Sequence, residues 1–495
     1  MKKLALIFPG IGYTVEKPLL QGSIRIAERL GYEVRPILYS GFPRKVRGDR
    51  DKMKRSYELA LAQARELIGG MDLRACDELL LIGKSIGTVV AACIAAENPI
   101  GGRVRFLLYT PLEETFAFPL GEALVFTGTA DPWVGAEESR IPALCRERGF
   151  PCFLTPGGNH SLETGDAQTD RRELERVMLQ TELFLRGQVR PLRLFGAPEA
   201  DMVLIQMADE RELARMEQEY REIVDRVQSE DFLLLAVQTA DWNRELSPWE
   251  APPVFGGEAF GGGGAETLAW LQDRLLPALS AERERFFYLG GYSLAGLFAL
   301  WAGYQSNRFA GVAAVSPSVW FPKFKSFALA QAFRSGLVYL SLGDREERTH
   351  NPAMAQVGDA IREIRDHLQE ERIPCVLEWN EGNHFRDPEK RTAAGFAWIL
   401  EQKREQRERI ARYEELLEDV ERLLRVSDLT ETELLVLREK TAQLAAYYES
   451  VLWWQDYYDD DSGFLPRGLK RGVLSEDGIY NVLERYKERL EEIEE

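Results

Sequence analysis

Two serines in this chain have the sequence surroundings of an activated nucleophile. Ser85 and Ser293 each follow an apolar run of strand type and precede an apolar run of helix type. A serine on a sharp strand-to-helix turn exposes its Oγ, and the strained turn tolerates only small residues two positions away on either side. Those positions hold Gly83 and Gly87 around the first serine, and Gly291 and Ala295 around the second. The pattern predicts two nucleophile elbows.

Histidine is scarce, which makes the positions of two histidines informative. The chain of 495 residues has four, and two of them close similar phrases, Gly157-Gly158-Asn159-His160 and Glu381-Gly382-Asn383-His384. Each phrase follows a late strand of its own half, so the imidazole is expected at the sheet edge where the serine also emerges. Histidine has a pKa near neutrality and can take the serine proton and return it to a leaving group. These two histidines are the predicted bases.

An acidic residue lies between the serine and the histidine in each half. Asp131 follows a strand-like run in the first half, and Asp344 follows one in the second, with Glu346 as the alternative acid. The order serine, acid, histidine is the order of the α/β-hydrolase triad. In such a triad the carboxylate fixes the imidazole tautomer and stabilises the imidazolium. We therefore expect two Ser–His–acid sites.

Backbone N–H groups are expected to stabilise the oxyanion that forms when a serine attacks a carbonyl. Ile86 and Leu294, each directly after its serine, should supply one donor per site. An earlier loop should supply the other, with Gly12 in the first half and Ala240 in the second. The same loops contain three expected substrate contacts: Tyr13, Trp242 and Asn243.

A simpler interpretation of the same residues exists for each half. Both serines could be ordinary N-terminal helix residues, and both histidine loops could be structural turns. A related alternative is a scaffold or binding protein that keeps the fold in one or both halves without turnover, because a fold does not prove an activity. The two interpretations differ in geometry, since only a catalytic site needs serine, histidine and acid within hydrogen-bonding reach.

Composition excludes several classes of function. The chain has 62 basic and 80 acidic residues, a net charge of −18, and no basic patch, which argues against nucleic acid and anionic membranes as partners. Its five cysteines are scattered, which fits reduced thiols in a cytoplasm. No apolar run is long enough to span a bilayer. With four histidines and no H-E-x-x-H motif, neither a metal nor another cofactor is expected.

Strand-like and helix-like segments alternate through the first 400 residues and restart once near residue 190. Strands separated by helices imply parallel crossovers and a doubly wound α/β sheet. We therefore predict two tandem α/β-hydrolase domains with mostly parallel sheets, residues 1–190 and 195–403. The second should have a helix over Glu210–Gln228 near its start and a closing helix over Pro388–Leu400.

The remaining residues, 404–495, predict a small all-α domain. Apolar residues recur there at helical spacing, and Thr430 with Glu433 forms a capping-box signature at the start of one helix. The segment is acidic, which is typical of solvated helix faces. Docking of a protein partner, or self-association, through these helices is the sharper alternative.

The second half resembles the bacterial esterase family that includes the enterochelin-esterase-like hydrolases. The motifs that carry the resemblance are Asp241-Trp242-Asn243-Arg244, Gly290-Gly291-Tyr292-Ser293-Leu294-Ala295-Gly296, Ser316-Pro317-Ser318 and Glu381-Gly382-Asn383-His384. The resemblance implies an α/β-hydrolase fold with Ser293 as nucleophile and His384 as base. The position of the acid varies in that family, so Asp344 and Glu346 both stay open.

The other two segments resemble less informative families. The first half is similar to small, uncharacterised bacterial α/β hydrolases through Phe8-Pro9-Gly10-Ile11-Gly12-Tyr13, Lys84-Ser85-Ile86-Gly87-Thr88, Gly128-Thr129-Ala130-Asp131-Pro132-Trp133 and Asn159-His160-Ser161-Leu162-Glu163. The C-terminal segment, through the run that begins Leu465-Pro466-Arg467-Gly468, resembles a small bacterial domain family of unknown function. Together these features predict a cytoplasmic serine hydrolase that cleaves small-molecule esters through an acyl-serine intermediate.

Overall fold

A computed structural model describes residues 2–133, 140–254, 256–475 and 477–494 of the chain. Its Cα positions divide into two compact units. The first comprises Met1–Leu194 with Pro277–Leu279, and the second comprises Phe195–Leu276 with Ser280–Glu495. The residues predicted as a separate helical domain therefore belong to the second unit. The predicted domain limits at 190, 195 and 403 remain predictions.

The first unit is a six-stranded parallel sheet flanked by helices. The strands lie in the order β2-β1-β3-β4-β5-β6, and every pairing is parallel. The strands are β1 (Lys3–Phe8), β2 (Glu33–Pro36), β3 (Glu78–Lys84), β4 (Arg103–Tyr109), β5 (Glu122–Gly128) and β6 (Cys152–Thr155). The helices are α1 (Pro18–Arg29), α2 (Arg50–Ile68), α3 (Ile86–Glu97), α4 (Ile141–Arg148) and α5 (Ala167–Leu185).

Alternate residues of each central strand enter two different cores. Leu79 and Leu81 pack into the core on one face of the sheet, while Leu80 and Ile82 pack into the core on the other. Successive side chains of a strand point to opposite faces, so a strand covered on both faces must be apolar throughout. This explains why β3 is uncharged from Leu79 to Gly83, between Glu78 at its start and Lys84 directly before Ser85.

The second unit contains a larger sheet of the same kind. Its order is β15-β14-β13-β12-β8-β9-β7, and the pairings from β15 to β9 are parallel. These strands are β7 (Leu192–Gly196), β8 (Met202–Ala208), β9 (Leu233–Gln238), β12 (Phe286–Tyr292), β13 (Gly311–Val315), β14 (Val338–Gly343) and β15 (Cys375–Asn380), with a small hairpin of β10 (Glu250–Ala251) and β11 (Phe260–Gly261) outside the sheet.

The helices of this sheet differ from prediction in two places. They are α6 (Glu210–Leu213), α7 (Met216–Val227), α8 (Trp242–Glu245), α9 (Gly264–Trp270), α10 (Leu276–Leu279), α11 (Leu294–Gln305), α12 (Phe324–Ala328), α13 (Val357–Glu370) and α14 (Pro388–Leu424). The single helix predicted over Glu210–Gln228 is two helices. The helix predicted to end at Leu400 continues to Leu424, because no proline or glycine interrupts it after Gly395.

Three further helices complete the C-terminal region: α15 (Glu431–Tyr448), α16 (Val451–Asp461) and α17 (Gly478–Glu494). The reciprocal capping box of Thr430 and Glu433 is present at the start of α15, as predicted. Phe464, which follows α16, packs into the core of the second sheet, so this region shares apolar packing with the unit that carries it. The predicted fold class is confirmed: two α/β-hydrolase-like units with parallel sheets, followed by a helical region.

Candidate active sites

Ser85 lies on a strained turn between β3 and α3. Its φ of 55° and ψ of −124° place it outside the regions that most residues adopt. Both predicted glycines are sterically required. A Cβ on Gly87 would lie 2.0 Å from the Phe8 carbonyl oxygen, and a Cβ on Gly83 would lie 2.7 Å from the Thr88 Cα. The apolar strand and these two glycines therefore produce the elbow.

A hydrogen-bonded chain joins the three residues predicted for the first site. The Ser85 Oγ lies 2.8 Å from Nε2 of His160, and Nδ1 of His160 lies 2.7 Å from Oδ2 of Asp131. Asp131 follows β5 and His160 follows β6, so both side chains leave the same edge of the sheet as the serine. This order of contacts is that of a serine-hydrolase triad.

The surroundings of His160 favour the neutral imidazole. Burial lowers the pKa of His160, the Asp131 hydrogen bond opposes this effect, and the nearby positive charge of Lys84 adds to the lowering. The indole ring of Trp133 lies over the same imidazole with the ring centres 5.5 Å apart. The backbone N–H of Trp133 donates to the second oxygen of Asp131 at 2.9 Å. The carboxylate is thus held on both oxygens, and the base is ready to accept a proton.

A cavity of about 160 Å³ opens in front of Ser85. Gly12 and Tyr13 line it, as predicted, together with Ile86 and His160. Ile86 is the first residue of α3, where the backbone N–H groups have no partner within the helix. Gly12 has a φ of +75°, a conformation that suits glycine. The geometry therefore brings both predicted oxyanion residues to the cavity that contains the serine.

The second elbow repeats the first. Ser293 has a φ of 59° and a ψ of −117° between β12 and α11. A Cβ on Gly291 would lie 2.6 Å from the Cβ of Ala295. Glycine is therefore required two positions before the serine when alanine lies two positions after it. The Ser293 Oγ lies 2.9 Å from Nε2 of His384. It also lies 3.4 Å from the hydroxyl of Ser318.

The carboxylate that contacts the second histidine is that of Glu346, and the preferred candidate Asp344 makes a different contact. Nδ1 of His384 lies 2.7 Å from Oε2 of Glu346. Asp344 instead accepts a hydrogen bond from the Gly382 N–H at 2.7 Å, which closes the turn beneath the histidine loop. The Glu346 side chain is 5% exposed and that of Asp344 is 48% exposed. The longer side chain folds back under the sheet edge, while the shorter one stays at the surface.

A dense set of donors holds the Glu346 carboxylate. Its Oε1 accepts from the Ser316 hydroxyl at 2.7 Å, from the Gly343 N–H at 2.7 Å and from the Arg391 guanidinium at 3.1 Å. Burial alone would raise the pKa of Glu346. The hydrogen bonds from His384, Ser316 and Gly343 outweigh burial and hold the pKa below its ordinary value. The acid therefore stays ionised beside the imidazole.

The other residues predicted around Ser293 do not all reach it. The Ala240 N–H, expected as an oxyanion donor, donates to the Glu245 carboxylate at 3.3 Å. The Asn243 side chain donates to Glu258 at 3.4 Å, and no described contact joins Asn243 or Trp242 to Ser293. Leu294 begins α11 and keeps the position expected of an oxyanion donor. In this structure the second site is thus less complete than the first.

Sequence reasoning missed the residue directly before each serine. Lys84 and Tyr292 precede the two nucleophile candidates, and both contact the loop that carries the histidine. It also missed Arg391, which lies in the second turn of α14 and bonds Glu346. The available signal was a lysine at the end of an otherwise apolar strand, Leu79 to Gly83.

Two kinds of feature are absent from the described part of the chain. No group of three or more histidine, cysteine, aspartate or glutamate side chains there could hold a metal ion. Among the same residues, no helix is long and apolar enough to cross a membrane.

Comparison with known proteins finds a family model that matches the C-terminal region. Residues 407–495 match the family described as "Domain of unknown function (DUF4298)". This match confirms the prediction that the region resembles a small domain family without an assigned function. No curated protein matches the chain. The resemblance of the first half to small α/β hydrolases remains a prediction.

Solved structures with a similar fold are distant. An IroE-like serine hydrolase from Shewanella oneidensis is 13% identical, with 61% of this chain and 96% of that chain covered at a TM-score of 0.37. The enterobactin esterase FES from Shigella flexneri is 17% identical, with 43% and 56% covered at a TM-score of 0.33. The siderophore hydrolase EstB from Aspergillus nidulans is 16% identical, with 43% and 91% covered at a TM-score of 0.35. At these scores the likeness says nothing about substrate.

Proposed function

We propose that this protein is a serine hydrolase with two separate sites for acyl transfer to water. One observation carries the proposal. In each unit, a strained serine lies within 2.9 Å of an imidazole nitrogen whose other nitrogen is 2.7 Å from a buried carboxylate. Such a hydrogen-bonded chain serves nucleophilic catalysis, because it activates an otherwise weak hydroxyl.

At the first site, Nε2 of His160 takes the proton from the Ser85 Oγ as that oxygen attacks the carbonyl carbon of an ester. Asp131 keeps the proton on Nδ1 and stabilises the imidazolium. The N–H groups of Ile86 and Gly12 are the proposed donors to the tetrahedral oxyanion. The imidazolium then gives its proton to the departing alkoxide, which leaves an acyl-serine. Water, deprotonated by the same imidazole, releases the acid.

At the second site, Ser293 and His384 have the same roles, and Glu346 replaces the aspartate. Arg391 neutralises the oxygen of Glu346 that does not face the histidine. Leu294 supplies one proposed oxyanion donor. The Ala240 amide must leave the Glu245 carboxylate before it could supply the other.

The proposed substrates are small carboxylic esters. At about 160 Å³, the first cavity is smaller than the roughly 300–1,000 Å³ of ordinary ligand pockets. Apolar side chains, including Val46, Met53 and Leu112, form much of its lining. A cavity of this size and lining fits a short acyl chain better than a long one.

The test is labelling with a fluorophosphonate probe, followed by peptide mapping of the intact chain. We expect adducts on Ser85 and Ser293. Ser85→Ala and Ser293→Ala should each remove one adduct and leave the other. Ser161→Ala is the matched control, because Ser161 lines the first cavity without belonging to the hydrogen-bonded chain. Labelling of neither serine in folded protein would refute catalysis and favour a binding role.

Aryl esters extend the same test to turnover and acyl length. In the Ser293→Ala chain, 4-nitrophenyl acetate should be hydrolysed faster than 4-nitrophenyl octanoate, since only the first site remains. Equal or inverted rates would refute the short-acyl assignment while leaving the nucleophile intact.

A further inference from the structure

The residue directly before each nucleophilic serine contacts the backbone of the catalytic histidine. Nζ of Lys84 donates to the His160 carbonyl oxygen at 2.7 Å. In the second unit, the Tyr292 hydroxyl donates to the His384 carbonyl oxygen at 2.6 Å. A lysine and a tyrosine thus make the same long-range contact from the same position of the elbow.

The groups around the two contacts also correspond. Thr110 and Ser316 each follow the strand next to the elbow strand, with φ values of 41° and 42°. Nζ of Lys84 donates to the Thr110 hydroxyl at 2.6 Å, and that hydroxyl donates to the His160 carbonyl at 3.1 Å. In the second unit, the Arg391 guanidinium joins Tyr292 and Ser316 at 3.2 and 3.4 Å. In the first unit, the lysine is bonded to the hydroxyl directly.

Lys84 is in an environment that an ammonium group does not enter without polar partners. It is 1% exposed, at the end of a fully buried strand. Transfer of a charged group from water to such a site is costly unless hydrogen bonds compensate. The compensation consists of the Thr110 hydroxyl, the His160 carbonyl and the face of the Tyr13 ring, whose centre lies 5.0 Å from Nζ.

We propose that Lys84 and Tyr292 are positioning residues, which fix the catalytic histidine by its backbone carbonyl to the strand that carries the nucleophile. The role rests on the proposed function. Each histidine lies on a loop. In the second unit Arg391 holds the neighbouring carbonyls of Glu381 and Asn383 at 3.0 and 3.1 Å, but the His384 carbonyl itself is bonded by Tyr292 of the elbow strand. Anchoring that backbone to the elbow strand makes the Ser–His distance a property of the sheet. A displacement of about 1 Å at such a site can cost roughly 100-fold in rate.

The two anchors differ in charge, and this difference separates positioning from a general structural role. Burial lowers the pKa of His160 and the Asp131 hydrogen bond opposes it, while the positive charges of Lys84 and Arg47 add to the lowering. Burial also lowers the pKa of Lys84 to about 7, so the lysine has this effect as a cation in the acid part of the pH profile. Burial raises the pKa of the neighbouring Tyr13 to about 12, and the negative charge of Glu163 adds to this rise. Burial raises the pKa of Tyr292 to about 12, so its hydroxyl is neutral at the working pH. Only loss of the lysine should change the pH profile of its site.

The experiment compares Lys84→Met and Tyr292→Phe in the full chain. The readout is the rate of fluorophosphonate labelling at Ser85 and Ser293, measured in the same sample by peptide mapping. We expect Lys84→Met to slow Ser85 by roughly 100-fold and to leave Ser293 unchanged. Tyr292→Phe should slow Ser293 about tenfold, because it removes the hydrogen bond to the His384 carbonyl and the weaker one from Arg391, and it should leave Ser85 unchanged. The untouched site controls for the probe and the sample, and thermal unfolding reports whether the mutated unit is folded, because the two serines lie in different units.

Tyr288→Phe is the matched control for the tyrosine. Tyr288 lies on the same strand, is fully buried, and its hydroxyl has no hydrogen-bond partner among the described residues. In the Tyr288→Phe chain, Ser293 should be labelled at the wild-type rate. The midpoint of the pH profile should rise for Ser85 in Lys84→Met and stay constant for Ser293 in Tyr292→Phe.

Three outcomes overturn the proposal. The first is that both serines are labelled in the wild type, but Ser293 is labelled as fast in Tyr292→Phe as in Tyr288→Phe. This would show that the tyrosine contact does not position His384. An unchanged rate and pH profile in Lys84→Met would show the same for Lys84. Absence of labelling in the wild type would refute the proposed function, and this role with it. Tyr292→Phe removes a single oxygen, so the test stands even where Lys84→Met fails to fold.

Discussion

Replacement of Glu346 by glutamine should inactivate the second site while leaving its geometry nearly intact. The amide still offers an oxygen to Ser316 and Gly343, but it cannot hold the proton of His384 on Nδ1 or stabilise the imidazolium. The corresponding change in a serine-protease triad costs roughly 10⁴-fold in kcat. At 1.36 kcal/mol per factor of ten, that is about 5.4 kcal/mol of transition-state stabilisation. We expect a loss of that order for Glu346→Gln.

The assay needs a chain in which only the second site works. Ser85→Ala supplies that background, and aryl-ester turnover or labelling of Ser293 supplies the signal. Asp344→Asn is the matched control, because an asparagine oxygen can still accept the Gly382 N–H that Asp344 accepts at 2.7 Å. This variant should retain activity within a fewfold of the parent. Loss of activity in Asp344→Asn with full activity in Glu346→Gln would refute the assignment of the acid.

Stability must be measured beside activity, since Glu346→Gln removes the charge that faces the buried Arg391. The side chains of the pair are 5% and 4% exposed. Loss of one partner of a buried ion pair typically costs about 3–5 kcal/mol. The amide oxygen keeps a hydrogen bond to the guanidinium, so the loss here should be at the lower end. A folded, inactive variant attributes the effect to chemistry.

Three other predictions use different measurements. The rate of Ser85 labelling should fall at acid pH with a midpoint below the ordinary histidine pKa of about 6.5, because burial and a nearby lysine lower the pKa of His160. A midpoint above 6.5 would contradict this prediction. Gly87→Ala should abolish that labelling and lower Tm, since its Cβ would lie 2.0 Å from a backbone carbonyl oxygen, whereas Gly70→Ala, with nothing within 4 Å, should do neither. Asp456→Ala should destabilise the second unit by about 3 kcal/mol in urea unfolding, because it removes the fully buried carboxylate that pairs with the half-buried Arg409 and accepts from the Tyr447 hydroxyl; Glu421→Gln, in an exposed ion pair, should change little.

The elbows and the histidine loops could be predicted because their signals are local. A strained serine between two small residues, at the end of an apolar strand, is visible within ten residues of sequence. The loop Asn159-His160 is equally compact, and so is Asn383-His384. In the structure both histidines contact their serines, because the carboxyl ends of the strands of a parallel sheet meet at one edge.

The acid of the second site could not be chosen from the sequence. Asp344 and Glu346 follow the same strand, two residues apart, and either could lie near a histidine from the next loop. The choice depends on the turn, which the Gly382 N–H closes onto Asp344. The anchors Lys84 and Tyr292 were invisible for a similar reason. Their partners are carbonyl oxygens 76 and 92 residues away, and a carbonyl carries no sequence signature.

The length of the helix α14 determines both the position and the orientation of the C-terminal helices that follow it. It runs from beside Glu346, through Arg391, into the region that ends the chain, and it has no break. Further along, Arg407 pairs with Asp201 at 3.0 Å, and Phe464 enters the core of the same sheet. One residue inserted near Gln402 would turn everything beyond it by about 100° and advance it by about 1.5 Å. Both contacts would be lost, whereas seven inserted residues would nearly restore the angle and leave an offset of about 10 Å. Because contacts fix α14 near both of its ends, the helix should tolerate substitutions far better than insertions or deletions.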